Sequence, residues 1–445
     1  MRPTFRTALA CGLLAAVPSL VLAQATFHGG ANHAGVYPGA GPVSAPSVRW
    51  RFQAAGPIVG SPVVADGVVY VGSLSGHLYA IDTATGHEKW NFKSRMPIAS
   101  TPTIEHGVVY FVSSAGALAA IDAANGQPKW VFATERERRF EAPNLHGYAP
   151  TAQTIPDAWD MFISSPVVSG GNVYFGSGDG NVYAVDADSG VLQWKYGTGD
   201  VVHASPAVAN GVVYVGSFDG KFYAIDATTG QLRWSYQAGT DPSIHNQQGF
   251  QASAAVVDGV VYVGCRDAHV YAFDGATGRK KWDYPTSKSW VNTTPAVRDG
   301  MVYAATSDSS RFFALDARTG RLKFNFDAKA FVFSSPALAG NLAYFGSHNG
   351  RLYAVDARTG QLAWLFQTDA SRTDAQHLLQ ADGSLNRDAF TPMFGDFQDM
   401  YVDFARYLSI GAIFGSPVVD DGTLYIGSTD GFLYALRDGT ATSAR

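Results

Sequence analysis

The side chains best placed to do chemistry sit at one position of a repeated pattern. His203, Gln251 and Asn292 each stand three residues before the Pro that opens a strand-like run, with Ala254 replacing that Pro in one copy. The equivalent residues of the other copies are Val59, Ala99, Ile163, Phe333 and Phe414. A hydrogen-bonding wall facing an apolar and aromatic wall is the usual make-up of a small-molecule site. The alternative is a wet channel in which the same polar groups bind water. Nearby segments add donors to that arc. Asp241–Gln251 carries His245 and Asn246, Lys288–Asn292 carries Trp290, and the turn Cys265–His269 carries Arg266 and Asp267. The guanidinium of Arg266 could hold a ligand carboxylate, or it could pair with Asp267 or another loop acid. An imidazole at 203 or 245 could act as a base or bind metal, but neither has a partner at ligand spacing, so no metal site and no catalytic set is assigned. Asp179, Asp219 and Asp430 precede Gly in the same turn and read as turn residues. Trp159, with Phe390, Phe394, Phe397, Tyr401, Phe404 and Tyr407 of a later segment, could form an aromatic lid or simply cover an apolar rim.

The elements that must position these groups recur eight times. The strand openings fall at Pro62, Pro102, Pro166, Pro206, Ala254, Pro295, Pro336 and Pro417, mostly about 40 residues apart. Each copy holds four strand-like runs. In the fourth they are 205–209, 212–217, 222–226 and 231–236, separated by Asn210-Gly211, Asp219-Gly220 and Thr229-Gly230. Such pairs tolerate positive φ and mark tight hairpins. Four antiparallel strands per repeat make a propeller blade, so the fold class is all-β, an eight-bladed β-propeller over 47–437. Trp90, Trp130, Trp194, Trp234, Trp282 and Trp364 end six copies, and Phe324 takes the place of Trp in the sixth. The eighth copy lacks that strand, while Trp50 precedes the first copy with no repeat of its own. The N-terminal strand is therefore expected to complete the last blade and close the ring. Length variation is confined to one face. Insertions at 131–163 and 365–415, and a smaller one at 235–252, mark that face as the working side. A short helix is expected over 396–408.

The segments Leu78–Gly86 through Trp90 and Phe222–Gly230 through Trp234 resemble the tryptophan-docking motif of the pyrroloquinoline quinone (PQQ) repeat family. The resemblance covers nearly all of 47–437. It implies the propeller and leaves function open, because that fold serves both quinoprotein dehydrogenases and an outer-membrane assembly scaffold. A dehydrogenase would hold PQQ with calcium or another divalent ion over the channel. This sequence has no C-x-x-C-H haem signature and no adjacent cysteine pair. A scaffold of this family would bind an envelope protein and carry a lipid anchor. The residues themselves favour a binding protein that takes a small molecule or a peptide segment at the loop-rich mouth.

Composition sets the compartment and the partners. A net charge of −5 argues against a nucleic-acid groove. Arg2 and Arg6, the short apolar run to Leu22 and Ala23-Gln24-Ala25 read as a secretory leader over 1–25, too short for a membrane span. The expected location is periplasmic or secreted. Residues 26–46 form an N-terminal extension and 438–445 a C-terminal tail. Cys11 falls inside the leader and leaves too little apolar run before it for a lipoprotein signal. Cys265 is then alone in the mature chain and reads as a buried, inert thiol.

Overall fold

The repeated strand and turn signals fold as the sequence dictates, into eight four-stranded antiparallel sheets arranged in sequence around a ring. The computed structural model describes residues 25–439 apart from 148, 151, 241–248 and 391–394. In the fourth blade the strands are Ala207–Ala209, Val212–Gly216, Lys221–Asp226 and Leu232–Gln237. The two middle strands of each blade are buried on both faces, which explains their unbroken apolar runs. The outermost strand alternates, with its Trp side turned inward.

Closure follows from the strand that precedes the first repeat. Pro46–Gln53 pairs antiparallel with Phe432–Asp438 and completes the eighth sheet, with Trp50 opposite Ala435. Seven tryptophans then play one part. Each indole N–H donates to a backbone carbonyl beyond its own blade, as from Trp90 to Ala123 at 3.0 Å, Trp234 to Gly275 at 2.8 Å and Trp50 to Thr83 at 2.9 Å. The hydroxyl of a middle-strand tyrosine reaches the same carbonyl, as Tyr214 does at Gly275. The indole lies flat on the glycine of the neighbouring turn. A Cβ on Gly278, whose φ is +72°, would come within 2.6 Å of the Trp234 ring. Burying an indole removes roughly 150–250 Å² from water, so these contacts are large terms in the cohesion of the ring.

Two further devices hold the centre. First, the hydroxyl residue before seven of the eight strand openings accepts a backbone N–H from the preceding blade. The sequence of acceptors runs Thr101, Ser165, Ser205 and Ser253, then Ser335, Ser416 and back to Ser61. Second, the N-terminal extension crosses the channel on the face opposite the insertions. Its carbonyls at Ala25, Ala31, Asn32, Ala34 and Gly35 accept the inward amides of Ile104, Val208, Val256, Val297 and Leu338, from five different blades, at 2.7–2.9 Å. Gly35 allows the close passage, since a Cβ there would lie 2.6 Å from that of Ala296. The extension thus forms a hub, and Phe27 from it floors the channel.

The insertions cover the other mouth. In the first, Glu141–Pro143 pairs with Thr154–Pro156. The second contains helices α1 (Asp369–Thr373) and α2 (Phe397–Ser409). Asp396 and Asp399 form a capping box that starts α2, close to the helix expected from sequence. The two insertions are joined by Ala149 N–H to Gly395 O at 2.9 Å and by the Tyr401 hydroxyl to Pro156 O at 3.0 Å. No helix among the described residues is long and apolar enough to cross a membrane.

Candidate functional site

The eight residues three before the strand openings converge as their alignment requires. Val59, Ala99, Ile163, His203, Gln251, Asn292, Phe333 and Phe414 all line one cavity on the ring axis. The ring of hydroxyls forms its lower wall and Phe27 its floor. Its volume is about 70 Å³, room for a few waters and well below the several hundred Å³ of a typical ligand pocket.

The polar arc is largely occupied by the first insertion. His203 is buried between two carboxylates, Nδ1 2.7 Å from Asp160 and Nε2 2.7 Å from Glu137. Burial opposes its charge, but the two carboxylates outweigh burial and raise its pKa to about 10. Histidine here is a charged latch between the fourth blade and the lid. Gln251 donates to the Trp159 carbonyl at 3.2 Å, and its Oε1 meets no partner among the described residues. Asn292 reaches the cavity with both amide atoms unpartnered in the same sense.

Arg266 pairs with a loop acid, as one of its two readings required. Fully buried, it donates from Nη2 to Asp157 Oδ2 at 2.7 Å. Trp290 lies under its guanidinium at 3.7 Å, with Phe218 and Phe140 at its sides. Burial disfavours the Asp157 carboxylate, but His146 and Arg266 overcome that and hold its carboxyl well below the usual carboxylate range. Asp267 accepts the Tyr271 hydroxyl at 2.5 Å, and Asp179, Asp219 and Asp430 do the same for Tyr183, Tyr223 and Tyr434. Asp267 is therefore a turn residue of the blade and stands apart from the cavity. His245 and Asn246 lie outside the described residues. Cys265 is buried, and burial pushes its thiol up, as expected of an inert side chain.

The aromatic wall becomes part of the lid. Trp159 packs against Phe331, Phe333, Phe404 and Tyr407, with ring centroids 5.1–6.1 Å apart. Phe390 stacks on Tyr407 at 4.7 Å, Phe397 packs on the first insertion, and Phe394 lies outside the described residues. His348 was not singled out by sequence. It is buried, stacks parallel to Trp159 and contacts Phe414 at 4.2 Å. Neither of its nitrogens has a partner among the described residues, and burial lowers its pKa to about 3. The signal was present. His348 and Arg266 are the ionisable residues in the column that follows the Gly-Ser of each repeat.

PQQ with a divalent ion does not fit this site. The cavity is too small for a tricyclic quinone. No group of three His, Cys, Asp or Glu among the described residues is placed to hold a metal. The nearest carboxylates, Glu137, Asp157 and Asp160, are already bound to His203, Arg266 and His146.

Comparison with known proteins bears on the fold. The chain is similar in structure to BamB from Moraxella catarrhalis, at 17% identity and a TM-score of 0.63, over 90% of this chain and 100% of that one. It is similar to a europium-containing methanol dehydrogenase at 14% identity and a TM-score of 0.67, over 93% and 98%. It also resembles the quinohemoprotein alcohol dehydrogenase from Comamonas testosteroni at 15% identity and a TM-score of 0.67, over 95% and 82%. No curated protein matches the sequence. One family model matches residues 43–147, 151–288 and 239–444, nearly the whole propeller, and the chain belongs to that PQQ-repeat family, described as outer membrane protein assembly factor BamB.

Proposed function

We propose that this chain is an exported binding protein that receives a peptide segment of a partner protein on its loop-rich face. One observation carries the reading. The solvent side of α2, above a channel covered on both faces, carries little charge, the partly exposed Arg406 being paired with Asp403. Gln398, Tyr401, Val402, Ala405 and Ser409 face outward, with Tyr401 36% and Val402 46% exposed. The ionisable Asp399, Asp403 and Arg406 are turned at least partly inward. A helix that pairs its partly exposed arginine and shows a tyrosine and a valine has the character of a docking element. Membership of a family described as an outer-membrane assembly factor supports an envelope protein as the partner.

The test is a photo-crosslinking amino acid placed at Val402 and, as control, at Leu232, a residue of comparable exposure on the outer rim of a blade. Irradiation in the native envelope should give a discrete adduct from Val402 alone, which Ala405→Glu, on the same outward side, should remove without changing Tm. Equal labelling at both positions, or none, would sink the reading.

A second reading, a small ligand beneath the lid, is favoured by the unpartnered amide atoms of Gln251 and Asn292. It requires the His203 latch to open, because the present cavity admits only waters.

A further inference from the structure

We infer that a gap in the hub, beside blades eight and one, binds the main chain of a short peptide segment supplied by another protein. The site lies on the face opposite α2 and does not depend on the reading of that helix.

The hub itself shows what each position takes. Ile104 and Val208, whose amides donate to hub carbonyls, stand opposite Val109 and Val213 in their hairpins. Val64 and Val419 hold the same register, opposite Val69 and Leu424, so their amides face inward in the same way. Neither amide meets an acceptor among the described residues. The path of the chain gives the reason. Ala31, Asn32, Ala34 and Gly35 supply one carbonyl each to blades four to seven. Beyond Tyr37 the chain turns outward along blade seven, where Gly39 accepts the Gly340 amide at 2.8 Å and Pro42 accepts the Trp364 indole at 2.9 Å. Blades eight and one are left without their share.

A cavity of about 110 Å³ occupies that gap, lined by Val64, Val419, Tyr37 and, at its exposed mouth, Asp420. Tyr37 is 8% exposed, and its hydroxyl has no partner among the described residues. Buried donors are almost always paired, so two amides and a phenol mark a place for acceptors. No Lys, Arg or His lines the cavity among the described residues, and Asp420 stands beside it, so a bound carboxylate would go uncompensated. Neutral carbonyls suit it, and Asp420 can accept an N–H in return. The volume exceeds the roughly 30 Å³ share of a single water and falls short of a drug-sized pocket. It suits a peptide unit flanked by small residues, the same group that the hub presents to the other blades.

The test uses the purified full chain and a neutral probe, acetylglycylglycine methylamide, with residue-resolved amide exchange as the readout. Without probe, Val64 and Val419 should exchange roughly tenfold faster than Val208 and Val256. Millimolar probe should slow both about fivefold and leave Val208 and Val256 unchanged. Acetate under the same conditions should protect neither. Tyr37→Phe should keep its Tm, because the hydroxyl has no bond to lose, and should weaken probe binding roughly fivefold. Several results would overturn the inference. Val64 and Val419 could prove as protected without probe as Val208 and Val256. The probe could protect neither residue, or all four alike. Acetate could protect as well as the probe, or Tyr37→Phe could bind the probe equally. A lowered Tm in that variant would show that the hydroxyl already has a partner, with the same consequence.

Discussion

His203 shows how far a single residue could be read. Its place on the channel wall followed from alignment alone, because eight copies of one strand must put equivalent residues at equivalent depth. Its partners did not follow. Glu137 and Asp160 come from an insertion of irregular length, where no repeat fixes register, so the latch they form with this cavity-lining residue was not legible. Arg266 is a similar case. Its chemistry was legible and its choice of acid was not. The latch has a pH signature. Its folded pKa of about 10 lies above the ordinary 6.5, so the imidazolium stabilises the fold in full below about pH 6.5, and that contribution is lost as pH rises through about 10. His203→Gln should cost roughly 3–5 kcal/mol near neutral pH by leaving two buried carboxylates without a cation. Melting curves should show the gap between native protein and variant closing from about pH 7 to about pH 10. A gap that does not change with pH would contradict the charged latch.

At the scale of the element, the blade was the most legible unit. Asn-Gly, Asp-Gly and Thr-Gly turns bound short apolar runs, and local geometry sets the hairpins with little help from the rest of the chain. The Trp column gave closure because a missing strand and a surplus strand had to match. The hydroxyl before each strand opening was equally regular, yet its role did not emerge, since a Ser-Pro pair reads locally as a turn and its acceptor function lies across a blade boundary. The indole contacts permit a paired test. Trp234→Ala should destabilise by about 3–5 kcal/mol through a lost buried aromatic. Phe324→Trp should be tolerated and add about 0.5–1.5 kcal/mol, because it supplies a second donor to the Ala357 carbonyl, now reached by Tyr303 alone among the described residues. Chemical denaturation measures both. A destabilised Phe324→Trp protein would show that this seam has no room for the indole.

The whole molecule differs most from its sequence reading at the centre. An extension before the first repeat has no periodicity, so nothing marked residues 26–46 as a hub. The glycines and small residues of His28–Gly35 were the clue, for only such a segment can pass between converging strands. With that hub below and the joined insertions above, the channel is covered at both ends and the loop face is an outer platform. Amide exchange should find Val208, Val256, Val297 and Leu338 strongly protected. Deleting residues 25–37 should release all four, each lost bond costing roughly 0.5–1.5 kcal/mol. Protection that survives the deletion would mean that the hub does not hold the ring.

The closing ladder also fixes how this ring responds to force. Pro46 pairs with Asp438 at one end and Gln53 with Phe432 at the other, so the chain enters and leaves the eighth sheet side by side. Tension drawing residue 44 away from residue 438 first loads the bonds from Val43 and Ser44 to the Asp438 carboxylate, then the strand pairs one by one. The seam opens as a zipper instead of sharing the load in shear. The closed toroid thus has a built-in tear line, which a machine pulling on its ends would rip at low force.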